Sequence, residues 1–158
     1  MSRLYRVVLI LALTLISVSA EAQTSDELKH KYESSGESSY LVRPDIILTV
    51  TFDENGQACR MQIDPQKTSV PNQYPIEVMS WKIGREVINE LAPVSKRGKV
   101  LANFSFNGGC SGVAFTLYEN VEISIASTCG PNGGGVTSAR IIWRRSKCWE
   151  EYQRKSPA

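Results

Sequence analysis

Residues 45–64 read DIILTVTFDENGQACRMQID, and this stretch decides the fold. In its first half Ile46, Leu48, Val50 and Phe52 share one side of an extended chain, with Thr49 and Thr51 on the other. That period-two alternation is the mark of a half-buried strand. Asp53-Glu54-Asn55-Gly56 follows as a turn, because Asn-Gly accepts the positive φ of a tight reversal. The second half, Gln57 to Asp64, puts Cys59, Met61 and Ile63 on one face. The result is a β-hairpin with an apolar side that needs a cover.

The cover is expected downstream. After a loop containing Pro65, Pro71 and Pro75, the residues Ile76, Met79, Ile83, Val87 and Leu91 recur at helical spacing. Lys82, Arg85 and Asn89 fall on other faces, Pro75 suits the first helical turn, and Pro93 stops the element. Alternation then returns three times: Val100 to Phe106 within Lys99–Asn107, Val113 to Leu117, and Val121 to Ile125. A three-residue loop, Tyr118-Glu119-Asn120, is expected to pair Leu117 with Val121 and gather Val113, Phe115, Leu117, Val121, Ile123 and Ile125 on one face. A final strand, Val136 to Arg144, follows the Gly-rich stretch 129–135. The expected class is α+β: an antiparallel β-sheet of about five to six strands with one amphipathic helix packed on it and two disulfides.

Upstream, Arg3 and Arg6 precede the apolar run 7–18 (VVLILALTLISV), which is too short for a comfortable bilayer span and is followed by small residues. Residues 1–22 therefore read as a cleavable signal peptide, with cleavage after Ala20 or Ala22 and no transmembrane anchor left behind. Residues 23–39 read as a polar flexible segment in which Ser25 caps a short helical turn, 40–150 as a single domain, and 151–158 as a polar C-terminal tail. The whole chain of 158 residues carries a formal charge of +2. Removing the leader takes away two arginines and Glu21, so the mature domain is almost neutral and no nucleic acid is expected as a partner.

Cys59, Cys110, Cys129 and Cys148 all lie after the leader, in a chain expected to be secreted or periplasmic, where disulfides persist. Their wide spacing speaks against a metal site. The hairpin around Glu119 brings residues 110 and 129 to one open end, favouring Cys110 with Cys129 and leaving Cys59 for Cys148. Because the expected register sets residue 110 against 128, that bond calls for a one-residue bulge among Gly108, Gly109 and Gly112.

Residues 45–109 resemble the TonB C-terminal domain family. The resemblance rests on a strand ending in Phe52-Asp53-Glu54-Asn55-Gly56, a second strand, an amphipathic helix ending near Leu91-Ala92-Pro93, a basic loop at Gly98, and a strand closing with Phe104-Ser105-Phe106-Asn107-Gly108. It implies a hairpin, helix and strand unit with the helix laid on a small antiparallel sheet, and it carries over no functional residue.

No catalytic constellation, metal site or cofactor site is expected. The single histidine, His30, sits in the polar segment, away from any nucleophile an imidazole could activate. Candidate carboxylates for a hydrolase are Asp53 and Glu54, Glu86 and Glu90, and Glu150 and Glu151; each also fits a turn, a helix surface or a solvated tail. The locally biased surface is C-terminal, where Arg140, Trp143, Arg144, Arg145, Lys147 and Trp149 combine cationic and aromatic groups suited to a protein or an anionic glycan or lipid. Asn103-Phe104-Ser105 matches a glycosylation sequon. The functional expectation is an exported, non-catalytic binding domain. The alternatives are a small secreted hydrolase using Asp or Glu pairs, or an inhibitor of a secreted enzyme presenting the 65–75 or 129–135 loop.

Overall fold

A computed structural model describes residues 22–36, 38–66, 78–129 and 134–155. Residues 1–21 of the expected signal peptide, most of the proline loop and the centre of the Gly-rich loop lie outside these residues. The described elements, in chain order, are α1 (Ser25–Lys31), β1 (Glu33–Gly36), β2 (Ser39–Arg43), β3 (Ile46–Phe52), β4 (Ala58–Pro65), α2 (Trp81–Leu91), α3 (Val94–Arg97), β5 (Val100–Gly108), β6 (Ser111–Tyr118), β7 (Val121–Thr128), β8 (Gly135–Trp143) and α4 (Lys147–Lys155). The strands form one antiparallel sheet in the order β1-β2-β3-β4-β8-β7-β6-β5. The expected α+β class and both disulfides are present: Cys59–Cys148 with 5.7 Å and Cys110–Cys129 with 5.0 Å between Cα atoms.

The decisive hairpin forms as β3 and β4. Asp53 closes its turn, its carboxylate oxygen Oδ1 accepting the amides of Asn55 and Gln57 at 2.9 Å each while Gly56 takes φ 73°. Val50 faces Met61 and Leu48 faces Ile63, and these pairs continue through Ile141 and Ala139 of β8 to Ile123 and Ile125 of β7. Against this side pack Leu28 of α1 and Val87, Ile88 and Leu91 of α2, making one buried core. A bulge in β8, where Ala126 faces Ser138 but Ser127 faces Val136, turns Val136 to the same side.

Several expectations are corrected. Among the described residues there are eight strands rather than five or six, and four helices rather than one. The additions lie largely where composition is polar. The segment 23–39 is not a bare tether: Thr24, one residue before the expected cap, closes a capping box with Glu27, and Leu28 is fully buried. The next segment pairs as β1 and β2, burying Tyr40 and Val42. At the other end residues 151–155 of the expected tail belong to α4, which is tied to β4 by Cys59–Cys148, while 156–158 lie outside the described residues.

The main helix starts at Trp81, where the Ser80 hydroxyl accepts the Ile83 amide at 3.3 Å, rather than at Ile76. Met79 is extended instead and exchanges two backbone hydrogen bonds of 2.9 Å with Val136. The buried stripe is accordingly Gly84, Val87, Ile88 and Leu91, with Ile83 partly exposed. Gly84 permits the close approach, since a Cβ there would stand 3.3 Å from Val136 Cγ2. The helix ends at Leu91 before Pro93, and Arg97 of α3 folds back to cap it, donating from Nε to the Ala92 carbonyl at 2.7 Å and from Nη2 to Asn89 Oδ1 at 2.5 Å.

Candidate functional site

The turn between β6 and β7 decides what the surface offers. Only Glu119 and Asn120 separate the strands, and Leu117 faces Glu122 rather than Val121. Neighbouring backbone pins this register: Glu119 Oε2 accepts the Lys99 amide at 2.9 Å, and Asn120 Nδ2 donates to the Lys96 carbonyl at 3.0 Å. A slip of one residue exchanges the faces of a strand. Val113, Phe115 and Leu117 therefore lie on the side opposite Val121, Ile123 and Ile125, not with them as expected. The same register sets Cys110 directly across from Cys129, with the Cys129 amide donating to the Cys110 carbonyl at 2.8 Å, so the bond needs no bulge between β6 and β7.

Strand β5 pairs its own apolar residues with that displaced set: Ala102 with Leu117, Phe104 with Phe115, Phe106 with Val113. Phe104 stacks on Phe115 with ring centroids 5.2 Å apart, and Phe106 meets both rings edge-on at 6.0 and 6.4 Å. No described helix covers this hairpin's aromatic side: α2 lies over β8 on the opposite face, and α4 contacts β4 and β8. Phe104 remains 47% and Phe106 66% exposed. A hollow of about 630 Å³ adjoins the cluster, floored by Gly112, Val113, Ala126 and Thr128. Contiguous apolar surface of this kind marks interaction sites in folded proteins. Asn103 of the sequon sits exposed in the same strand.

The basic and aromatic residues singled out from the sequence do not form one patch, because strand alternation divides them. Trp143 points to the core under α1 and α2 and is 5% exposed. Arg140 and Arg144 point the other way, toward α4. Arg140 Nε donates to Gln62 Oε1 at 3.3 Å, and Arg144 donates to the Tyr118 and Glu119 carbonyls at 3.1 and 3.3 Å while standing 5.3 Å over the Trp149 ring. Trp149 also packs on Tyr152, and Lys147 pairs with Glu54. Arg140 and Arg144 further temper Glu122, whose carboxyl burial pushes upward against a hydrogen bond from Tyr152 and these two charges. Arg145 is exposed and borders a second hollow of about 430 Å³ with Trp143, Asp53 and Gln57. In this region Trp143 Nε1 and Gln57 Oε1 are buried without a hydrogen-bond partner among the described residues.

The carboxylates considered for hydrolysis are likewise dispersed. Asp53 Oδ1 is committed to its turn, Glu54 to Lys147, and Glu86, Glu150 and Glu151 are exposed. Glu90 accepts the Tyr32 hydroxyl and Arg43 Nη2 at 2.7 Å each and pairs with Lys31 Nζ at 3.0 Å. Burial alone would raise this carboxyl, yet the three hydrogen bonds outweigh it and hold it near 2. A group so firmly ionised is a strut between α1, β2 and α2 rather than a proton donor. Burial and the same carboxylate push the Tyr32 phenol above its ordinary value. His30 is exposed in the last turn of α1.

No family model, no curated protein and no solved structure matches the chain. Among the described residues no helix is long and apolar enough to cross a membrane.

Proposed function

We propose that the chain is an exported, disulfide-braced binding domain that docks a protein partner on the aromatic face of β5 and β6. The observation that carries this reading is the exposed pair Phe104 and Phe106 packed on the half-buried Phe115, a cluster that the β6–β7 register turns away from the core. A protein fits better than an anionic glycan or lipid, because Arg140, Arg144 and Lys147 already have partners within the chain. Aromatic rings in a desolvated patch are the usual anchors of protein interfaces. The two disulfides and the apolar leader support an oxidising, extracytoplasmic setting.

The test is capture of partners from native envelope or culture fluid by the mature, oxidised protein and by its Phe104→Ser/Phe106→Ser double variant. The variant is expected to fold, keep both disulfides and lose the captured protein. Equal capture by both forms would remove this face from consideration.

A further inference from the structure

We infer that the partner of this face is a second copy of the chain, joined edge to edge through β5 in antiparallel register about Phe104. The inference rests on the docking role proposed above and names its occupant.

Of the two edges of the sheet, β1 is four residues long and β5 is nine. Long edges are ordinarily protected against further pairing by charges, prolines, shortness or bulges. Between Val100 and Gly108 there is no charged residue and no proline, and the register shift at Val100/Ala102 affects only one end. All of these residues but Ala102 are exposed.

The edge is complementary to itself. A twofold axis normal to the sheet keeps each face on its own side, so aromatic meets aromatic face and polar meets polar. Centring the pair on Phe104, the midpoint of Val100–Gly108, gives the longest overlap. Phe104 then faces its own copy, Ala102 faces Phe106 as small against large, and Asn103 faces Ser105 on the other side as donor against acceptor. No like charges confront one another across the axis, which is the condition a self-pairing edge must meet. A partner of different sequence would ordinarily be selected by charge, and this strand offers none to read.

Sedimentation of the full oxidised protein from low to high micromolar concentration, with amide exchange of β5 at both ends of the range, tests the pairing. A dimer is expected, with the β5 amides that do not bond to β6 exchanging more slowly as concentration rises. Phe106→Lys should weaken the dimer at least about tenfold. The exchange measurement on the unmodified chain keeps the test decisive if that variant folds poorly. A protein that stays monomeric, with the β5 amides that do not bond to β6 exchanging equally fast at both ends of the range, overturns the inference. If such a monomer nonetheless loses a captured protein on Phe104→Ser/Phe106→Ser substitution, the docking face stands and only the second copy falls; if capture is also unaffected, both fall.

Discussion

The Arg43 guanidinium donates to Glu90 Oε2 at 2.7 Å, tying the end of β2 to the last turn of α2. Tyr32 and Lys31 reach the same carboxylate from the end of α1. One acidic side chain thus holds together the polar N-terminal segment and the principal helix.

That carboxyl titrates ordinarily at 4.5 and here at about 2. A depressed value means that the stabilisation is complete above the unfolded pKa and is lost as pH falls through the folded one. Unfolding free energy should therefore decline between about pH 5 and pH 2, and Glu90→Gln should flatten that decline while costing about 1–3 kcal/mol near neutrality. Urea titrations of both proteins across that pH range measure the difference.

Arg97 is 7% exposed, capping α2 and standing 5.6 Å over the Tyr118 ring. Arg97→Ala should cost about 2–4 kcal/mol, because it leaves buried helix-end carbonyls unpaired and empties the space beside Tyr118. Arg97→Lys should recover only part of this, since an ammonium cannot serve Ala92 and Asn89 with the same fixed fork. Chemical denaturation of the two variants checks the ranking.

Gly84 leaves room for a methyl group at best. Gly84→Ala should change stability by less than about 1 kcal/mol, a gain in helix propensity offset by the 3.3 Å contact with Val136. Gly84→Leu should cost about 2 kcal/mol or more by levering α2 off β8, and thermal unfolding separates the two outcomes.

The two disulfides close loops of different size, with sequence separations of 89 for Cys59–Cys148 and 19 for Cys110–Cys129. On the loop-entropy account, paired Ser substitutions should cost more at 59 and 148, by about 1 kcal/mol. They should also free α4, visible as faster amide exchange across 147–155, whereas substitution at 110 and 129 should leave α4 protected.

The hairpin at Asp53 was legible because local chemistry decides it: alternation on both arms and a turn whose carboxylate satisfies its own amides. The disulfide pairing was legible for a similar reason, as two cysteines flanking one hairpin meet at its open end. The strands β1 and β2 were not, because a short edge needs few apolar residues: Tyr40 and Val42 are the buried positions of β2. The start of α2 was obscured by Met79, whose position fits the helical stripe but whose backbone is claimed by Val136.

The aromatic face was missed through one residue of register. The signal was present in the cysteines: the arrangement in which Cys110 faces Cys129 is the one in which Leu117 faces Glu122. Accepting that alignment without a bulge reverses β6 and turns Phe115 away from the core. The basic C-terminal residues misled in the opposite sense, since composition shows that Arg140, Arg144 and Lys147 are cationic but not that Gln62, the Tyr118 carbonyl and Glu54 await them.

Because β5 and β6 present their apolar side away from the buried core, and α4 on that side packs against β4 and β8, the hairpin gains little from the common core apart from Tyr118, which packs against it. Its attachment is a strip of backbone ladder to β7, the Glu119 and Asn120 clamp at one end and the Cys110–Cys129 bridge at the other. Such a hairpin should open as a unit while the rest of the sheet holds. The bridge then acts as a latch: reduction would loosen the aromatic surface before it threatened the fold, making this face sensitive to the thiol balance around the protein.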